Sequence, residues 1–320
     1  MAFSDSQTTL RGDVNCLVTE AAQADSMLIG LKVFPVWNVP VKSGQWPKFR
    51  LTKGELLNPD ATKRTPSGSY GRVVRAYEAD NYTVEDYGQE EPVDDTYKAD
   101  VSRFFQAEVQ AGKMCMRSVM LGHEVRVAAE IMNSTNFTAT AASVNYTEAN
   151  IATINFVLDV TDACTRLNNK GVIPNTIVMS KAVFARVRRS TLFLNQLRGI
   201  MGNNADRLAS AEDVAAVFAN EGITQCLVGR MPKNSANKGA TFSASPVWGN
   251  TYVWVGYVAG GDPMSGGAGR TVAWDADGGF LVSESYRDDA RRSDIIRVRQ
   301  SVDEKVVDST AGELITTSYS

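Results

Sequence analysis

The sequence predicts an α+β chain, and three stretches carry that reading: a proline-free helical pattern from Thr96 to Met132, an alternation of helix and strand from Thr147 to Ala259, and half-buried strands near the end. Composition agrees with a soluble globular class, with 43% hydrophobic and 22% charged residues among 320. That length suggests roughly one to three domains and a core that needs no disulfide or metal staple. The net charge of −3 argues against free nucleic-acid binding as the main task, because duplex affinity rests on Lys and Arg neutralising phosphates. It says nothing against enclosing nucleic acid. Met1 to Arg11 is polar and lacks the apolar core of a signal peptide, and no later stretch approaches the ~20 apolar residues of a membrane span. Cytoplasmic synthesis is therefore expected. Cys16, Cys115, Cys164 and Cys226 are far apart, as reduced packing cysteines are, so the Asn-x-Thr matches at Asn81, Asn133, Asn136 and Asn145 read as accidents of composition.

Asp13 to Lys32 reads as a short amphipathic helix, with Val14, Leu17, Val18, Ala21, Met27 and Leu28 broadly at helical spacing, ended by Val33-Phe34-Pro35. Residues 1–39 are an arm rather than a domain. From Pro40 to Tyr70, Pro40, Gly44, Pro47, Gly54, Pro59, Pro66 and Gly68 interrupt the chain, leaving brief extended runs such as Lys48 to Leu51. The segment predicts a projecting two-stranded loop without a core of its own.

The helix from Thr96 to Met132 predicts an inward stripe of Phe104, Ala107, Ala111, Met114, Ser118, Leu121, Val125, Ala128 and Met132, along about 55 Å at 1.5 Å per residue. Asp94, Asp95, Thr96 and Asp100 suit its N-terminus. A helix from Thr147 to Lys170 places Ala152, Phe156, Val160, Ala163 and Leu167 inward and stops at Gly171, before the apolar strand Thr176 to Met179. Ser180 caps a helix with Val183, Phe184 and Val187 inward. Ser210 to Asp213 opens another, in a capping-box pattern, which leads through Gly222 to the strand Ile223 to Val228. Thr251 to Ala259 is apolar on both faces, as a central strand is. Ile296, Val298 and Val302 alternate with Arg297, Arg299 and Ser301, and a turn from Ser309 to Gly312 precedes a last strand with Leu314 and Ile315.

Charge is strongly polarised. Pro40 to Arg75 holds eight Lys or Arg (Lys42, Lys48, Arg50, Lys53, Lys63, Arg64, Arg72, Arg75) against Glu55 and Asp60, a net +6. Ala76 to Asp100 holds nine acids against Lys98, a net −8. An assembling subunit can lay a basic arm on the acidic segment of a neighbour, with Trp46 and Phe49 among the aromatics interleaved with the cations as interface anchors. Lys42, Trp46, Lys48, Phe49, Arg50, Lys53 and Arg64 are thus the donor candidates, and Glu85, Asp86, Glu90 and Glu91 the acceptors.

Catalytic and ligand motifs are tested and fail. Gly260 to Gly269, read as a phosphate loop, puts Met264 where the first Gly belongs and Arg270 where Lys belongs, and no helix pattern follows. His123 is the sole histidine, so no site needing two imidazoles exists and a structural place on the long helix is expected. Asp275, Asp277 and the charged run Arg287 to Asp294 read as solvated faces or ion pairs. No cofactor, metal or catalytic residue is assigned, and an enzyme acting on a phosphate ligand through residues 260–269 is the weakest alternative.

The order of parts resembles the HK97-fold major capsid proteins of tailed bacteriophages, over nearly the whole chain. The stretches that carry it are Lys32-Val33-Phe34-Pro35 leading to Ser43-Gly44-Gln45-Trp46-Pro47, like the start of the family's E-loop; Met116 to Met132 with Glu124 and Val127-Ala128, like its spine helix; and Gly171 to Ser180 with Val183-Phe184, like its helix-strand-helix signature. The resemblance implies an N-arm (1–39), an E-loop (40–75), a first part of a P-domain (76–146) with the spine helix (96–132), an A-domain (147–280) and closing P-domain strands (281–320). It implies pentamers and hexamers in an icosahedral shell that encloses double-stranded DNA without reading its sequence, assembled in the host cytoplasm with portal, scaffolding and decoration proteins as partners. An arm that begins close to Met1 suggests a separate scaffolding protein or a trimmed mature chain. An encapsulin-like compartment shares the implied fold, and the extended arm and long basic loop favour the phage shell over it.

Overall fold

The computed structural model describes residues 9–10, 27–48, 66, 68–70, 78–96, 107–201, 208–237 and 239–319. In chain order the strands and helices are β1 (Thr9–Leu10), α1 (Gly30–Val33), β2 (Val36–Val39), β3 (Ser43–Lys48), β4 (Glu78–Thr83), β5 (Glu85–Asp94), α2 (Ala107–Ile131) and β6 (Thr138–Ala141). There follow α3 (Phe156–Asn169), β7 (Thr176–Ser180), α4 (Lys181–Val187), α5 (Thr191–Met201), α6 (Ala211–Val217), β8 (Gln225–Gly229), β9 (Pro232–Asn234) and β10 (Ala244–Pro246). β11 (Tyr252–Gly256), β12 (Gly269–Trp274), β13 (Val282–Asp288), β14 (Ser293–Val306) and β15 (Gly312–Thr316) close the chain.

Two sheets organise the molecule. The first has the order β1-β13-β14-β12-β2, with β5 also paired to β14. β14 can serve three partners because it is 14 residues long: β13 pairs its first half, β12 its second, and β5 runs along its other edge from Ser293↔Asp94 to Val302↔Glu85. The second sheet has the order β6-β15-β11-β7-β8 and is covered on both faces. Val178, Trp254 and Leu314 face the core shared with α2, while Ile177, Val253, Val255 and Ile315 face the core under α3 to α6. This two-sided burial is why Thr251 to Ala259 shows no alternation. Two ribbons, β3–β4 and β9–β10, stand apart from the sheets.

Local signals place several elements where the sequence puts them. The Ser180 hydroxyl accepts the Val183 N–H at 3.2 Å, and Ser210 and Asp213 form the reciprocal capping box. The helix expected from Thr147 begins instead at Phe156, because the Asn155 side chain caps it through the Leu158 N–H. The expected arm helix lies mostly outside the described residues, which include only its end as α1.

Strand pairing connects elements across the ranges expected for the domains. Gly269–Trp274 falls in the range expected for the A-domain, yet it pairs with β14 and β2 in the first sheet. Gly312–Thr316, expected among the closing strands of the P-domain, pairs with β11 and β6 in the second. Both strands are buried along nearly their whole length, so neither pattern of polarity tells which sheet it joins.

The long helix keeps its place and most of its expected face: Ala111 and Ala128 are buried, and Ala107, Leu121, Val125 and Met132 pack against the core. Its described part spans 25 residues, about 37 Å at 1.5 Å per residue, and residues 97–106 lie outside the description. Burial falls on adjacent pairs every four residues: Ala111-Gly112, Cys115-Met116, Val119-Met120, His123-Glu124, Val127-Ala128. Met114, expected inward, is 51% exposed, and Ser118 is exposed too. A four-residue repeat advances about 40° per step on a helix of 3.6 residues per turn, so the buried stripe winds around α2 as it passes between other elements.

One of those pairs fixes the architecture. Glu124 is 1% exposed, and its carboxylate accepts the Ile29 N–H at 3.0 Å, the Gly30 N–H at 2.6 Å and the Trp248 indole N–H at 2.6 Å. A buried carboxylate is tolerated only when hydrogen bonds replace its water, and three donors from two distant segments do so here. Gly30 is required, since a Cβ there would lie 2.7 Å from Glu124 Oε2. Glu124→Gln, which turns an amide NH2 toward these donors, is expected to lower the unfolding free energy by about 1.5–3 kcal/mol. Trp248→Phe, which removes one donor and leaves two, should cost less; urea denaturation of both variants checks the order.

Candidate functional site

The basic loop leaves the body as the ribbon β3–β4, in register from Ser43↔Thr83 to Lys48↔Glu78. A small aromatic cluster anchors its base. Trp46 is 4% exposed, stacked on Tyr82 at 5.9 Å and edge-on to Trp37 at 6.0 Å, over Val39, Val84, Val272 and Val307. This corrects the expectation that Trp46 anchors a neighbour: its ring is consumed within its own chain, and the ribbon base has a core the Pro/Gly spacing concealed. A Cβ at Gly44 would lie 2.6 Å from the Tyr82 hydroxyl, so the ribbon closes against that ring only with glycine there.

Lys42 is likewise engaged at home. Its ammonium lies 3.1 Å from Asp86 of the same chain and 4.4 Å from the centroid of the Trp274 ring. Asp86 also accepts the Ser301 hydroxyl at 2.6 Å; that bond first, and then Lys42, hold its carboxyl below the usual value. The Lys48 side chain and residues Phe49, Arg50, Lys53 and Arg64 lie outside the described residues.

The acidic segment becomes β5, and much of its charge is met by the closing strands. Glu90 sits opposite Arg297 in the β5–β14 register, pairs with it, and accepts the Tyr286 hydroxyl at 3.0 Å. Asp95 receives the Arg287 guanidinium in a two-pronged contact at 2.6 Å, shared with Asp294 at 3.2 Å. Arg299 pairs with Glu284 at 2.6 Å. Glu90, opposite Arg297 in the antiparallel register, and Asp86, opposite Ser301 and paired with Lys42, are therefore committed inside the subunit. Glu85 accepts only the Tyr87 hydroxyl, at 2.8 Å, and Glu91 is exposed; neither has an ion pair among the described residues.

Where the ribbon meets the body, Thr83, Glu85, Tyr87, Arg126, Asp303 and Glu304 line a polar cleft of about 390 Å3. Arg126 grips Glu304 with two bonds of 2.8 and 2.9 Å and lies 3.7 Å over the Tyr87 ring. Desolvation lifts the Glu304 carboxyl above its usual value against the pull of Arg126. His123 touches the same group at 3.8 Å, but burial, followed by Arg126, takes its pKa down to about 3. The imidazole is thus neutral and this contact is no ion pair. His123 Nε2 lies 3.0 Å from the Thr271 hydroxyl, which donates to the Phe34 carbonyl, so the network assigns the ring proton to Nε2.

The glycine-rich loop holds a cation of its own. Arg270 is fully buried, and its guanidinium donates to the carbonyls of Gly261, Gly266 and Gly269 and to the Ser265 hydroxyl. A phosphate cradle needs converging N–H groups, whereas here carbonyls converge on an arginine and the chain continues as β12. That overturns the phosphate-loop reading. No group of three or more metal-ligating side chains occurs, and no helix is long and apolar enough to cross a membrane, among the described residues.

Neither a family model nor a curated protein sequence matches the chain. Solved structures do. A phage-related protein from Bordetella bronchiseptica RB50 matches with a TM-score of 0.69 at 20% identity, covering 98% of each chain. A virus-like particle from Pyrococcus furiosus matches with a TM-score of 0.56 at 11% identity, covering 95% of this chain and 97% of that one. The capsid of cyanophage P-SCSP1u gives 0.54 at 10% identity, over 90% and 86%. The chain has the HK97-like capsid fold, as the order of its sequence elements implied.

Asp303 reports on the ribbon base. It accepts the Thr83 N–H at 2.9 Å, and burial raises its carboxyl above the ordinary 3.8. A raised carboxyl pKa means that ionisation opposes folding, fully above the folded value and not at all below the unfolded one, so stability rises as pH falls through that window. Asp303→Asn keeps an oxygen for Thr83 and removes the charge. It is expected to raise the urea midpoint at pH 7, with the difference from the parent shrinking toward about pH 3; a difference that is constant with pH contradicts this.

Proposed function

We propose that this chain is the major subunit of a tailed-phage capsid. Identical copies form pentamers and hexamers, and these close an icosahedral shell around packaged double-stranded DNA, with portal, scaffolding and decoration proteins as partners and assembly in the host cytoplasm. The observation that carries the reading is the capsid fold along nearly the full length of the chain. The charge balance supports it: a slightly acidic subunit holds DNA without binding it tightly enough to hinder packing or ejection.

The basic loop is the proposed arm to the neighbour. Asp86 and Glu90 are occupied in their own subunit, so the acceptors in this reading narrow to Glu85 and Glu91, and the donors to Lys48, Arg50, Lys53 and Arg64, with Phe49 as the apolar contact. Such charges act chiefly on the rate and correctness of encounter and are screened by salt. The fold shared with encapsulin-like compartments, which the resemblance implies, gives a second reading, a protein compartment in place of a phage shell. The contents of particles recovered from the native source separate the two: nuclease-protected DNA fits the phage shell, protein cargo the compartment.

Reversing Lys48, Arg50 and Lys53 to Glu is expected to abolish shells at low salt while leaving a folded monomer. Electron microscopy of the assembly reaction, with circular dichroism of the soluble fraction, reads both. Shells of normal size and yield from the reversed protein would remove the arm from the account.

A further inference from the structure

One cavity and the charge around it serve none of the roles above. Where β8 leaves the second sheet, a pocket of about 440 Å3 opens between the start of α4 and the β9–β10 ribbon. Ala182, Ala185, Met231 and Pro246 make its lining mostly apolar. Lys181 and Arg230 also line it, and both are exposed. Lys233 sits opposite Ser245 in the ribbon register, and Ser245 belongs to the same wall. None of these three cations has an ion pair among the described residues. Elsewhere the fold occupies its cations: Arg126, Arg166, Arg287, Arg297 and Arg299 each meet a carboxylate. Here none is supplied by the ribbon or the strands beside it, because from Ile223 to Gly261 the sequence contains no Asp or Glu. Just before β10, Phe242 is 68% exposed.

Uncompensated cations around an apolar hollow suit a ligand with two parts, carboxylates for the rim and an apolar side chain for the hollow. A nucleic-acid duplex supplies anions but no projecting apolar group, so the concave lining favours a peptide. We propose that this pocket is the docking site for an acidic peptide segment of a partner protein, in which one apolar side chain is flanked by Asp or Glu. The apolar side chain leaves water against Ala182, Ala185 and Met231, and the flanking carboxylates meet Lys181 and Arg230. The rim charges select and steer the acidic segment and are screened by salt, whereas the hollow supplies attraction that salt does not screen. The lining comes from one chain, so the site goes beyond the shell reading and does not depend on it.

Fluorescence anisotropy with the full-length chain tests this. The probe is a fluorescein-labelled peptide with one Leu between two pairs of Glu; the comparison ligands are the same peptide with Ala in place of Leu, the same peptide with Lys in place of Glu, and a labelled short DNA duplex. Saturable binding of the probe is expected, weakened roughly tenfold when Ala replaces its Leu and roughly tenfold by Lys181→Glu or Arg230→Glu in the protein. The Lys peptide should not bind. Ala185→Leu, which fills the hollow, should make the Leu and Ala peptides bind alike. Circular dichroism checks that each variant is folded, and Lys181→Ala and Arg230→Ala replace any charge reversal that is not. Absence of saturable binding up to about 1 mM probe overturns the proposal. So does a duplex that binds as tightly as the probe and loses as much to Arg230→Glu, which makes the surface a general polyanion patch, and so do Leu and Ala peptides that bind the parent alike. Self-association that Arg230→Glu abolishes, without peptide binding, makes the occupant a second copy and overturns it as well.

Discussion

The buried carboxylate of Glu124 is the constraint on which the other arrangements depend. It brings together a segment near the N-terminus, the middle of the long helix and Trp248, with Ile29 and Trp248 219 residues apart in sequence. Removing that charge from water is tolerable only with all its donors in place, so the carboxylate specifies one docking of the chain start and disfavours others. Neighbouring contacts follow from that docking. Once Ile29 and Gly30 are held, α1 leads Phe34 to the Thr271 hydroxyl, β2 lies alongside β12, and His123 fills the space between as a neutral ring. The Trp248 indole meanwhile lies against Gly229, where a Cβ would come within 2.2 Å of the ring. The first sheet, the long helix and the end of β8 are thus tied to one side chain.

The second organising principle is where charge is spent. Viewed along the sequence, the net −8 of residues 76–100 looks like a surface awaiting the net +6 of residues 40–75. In the fold, β5 lies on β14 and meets Arg297 through Glu90, while Arg287 reaches Asp95. Part of the charge that looked intermolecular is intramolecular, and it fastens the acidic strand to the end of the chain. Of the basic loop's cations, Lys42 alone has a described side chain, and it pairs with Asp86 of its own chain.

Much of the fold was legible because the signals were local. Caps at Ser180 and Ser210, the apolar runs at 176–179 and 251–259 and the alternation around Ile296 each depend on neighbours in sequence. Whatever depended on distant partners was not legible. The face of α2 was read incompletely because His123 and Glu124 look like surface residues until their partners Thr271, Ile29, Gly30 and Trp248 are known. The sheet partners of β12 and β15 were not legible because a strand buried on both faces carries no mark of its partner. Trp46 looked like an exposed anchor because Trp37 and Tyr82, which bury it, lie 9 and 36 positions away. Of the candidate site, the location of the charge was legible, but not which charges were already paired.

The central claim is that the acidic strand belongs to its own subunit while the basic loop belongs to the next. Carbodiimide cross-linking of shells assembled from mixed light- and heavy-isotope subunits, read by mass spectrometry, tests it directly. The account predicts Lys42–Asp86 links within a single label, in monomer and shell alike, and links from Lys48, Lys53 or Lys63 to Glu85 or Glu91 that join light to heavy only after assembly. Loop lysines linked solely within one label, at the same frequency before and after assembly, would contradict it.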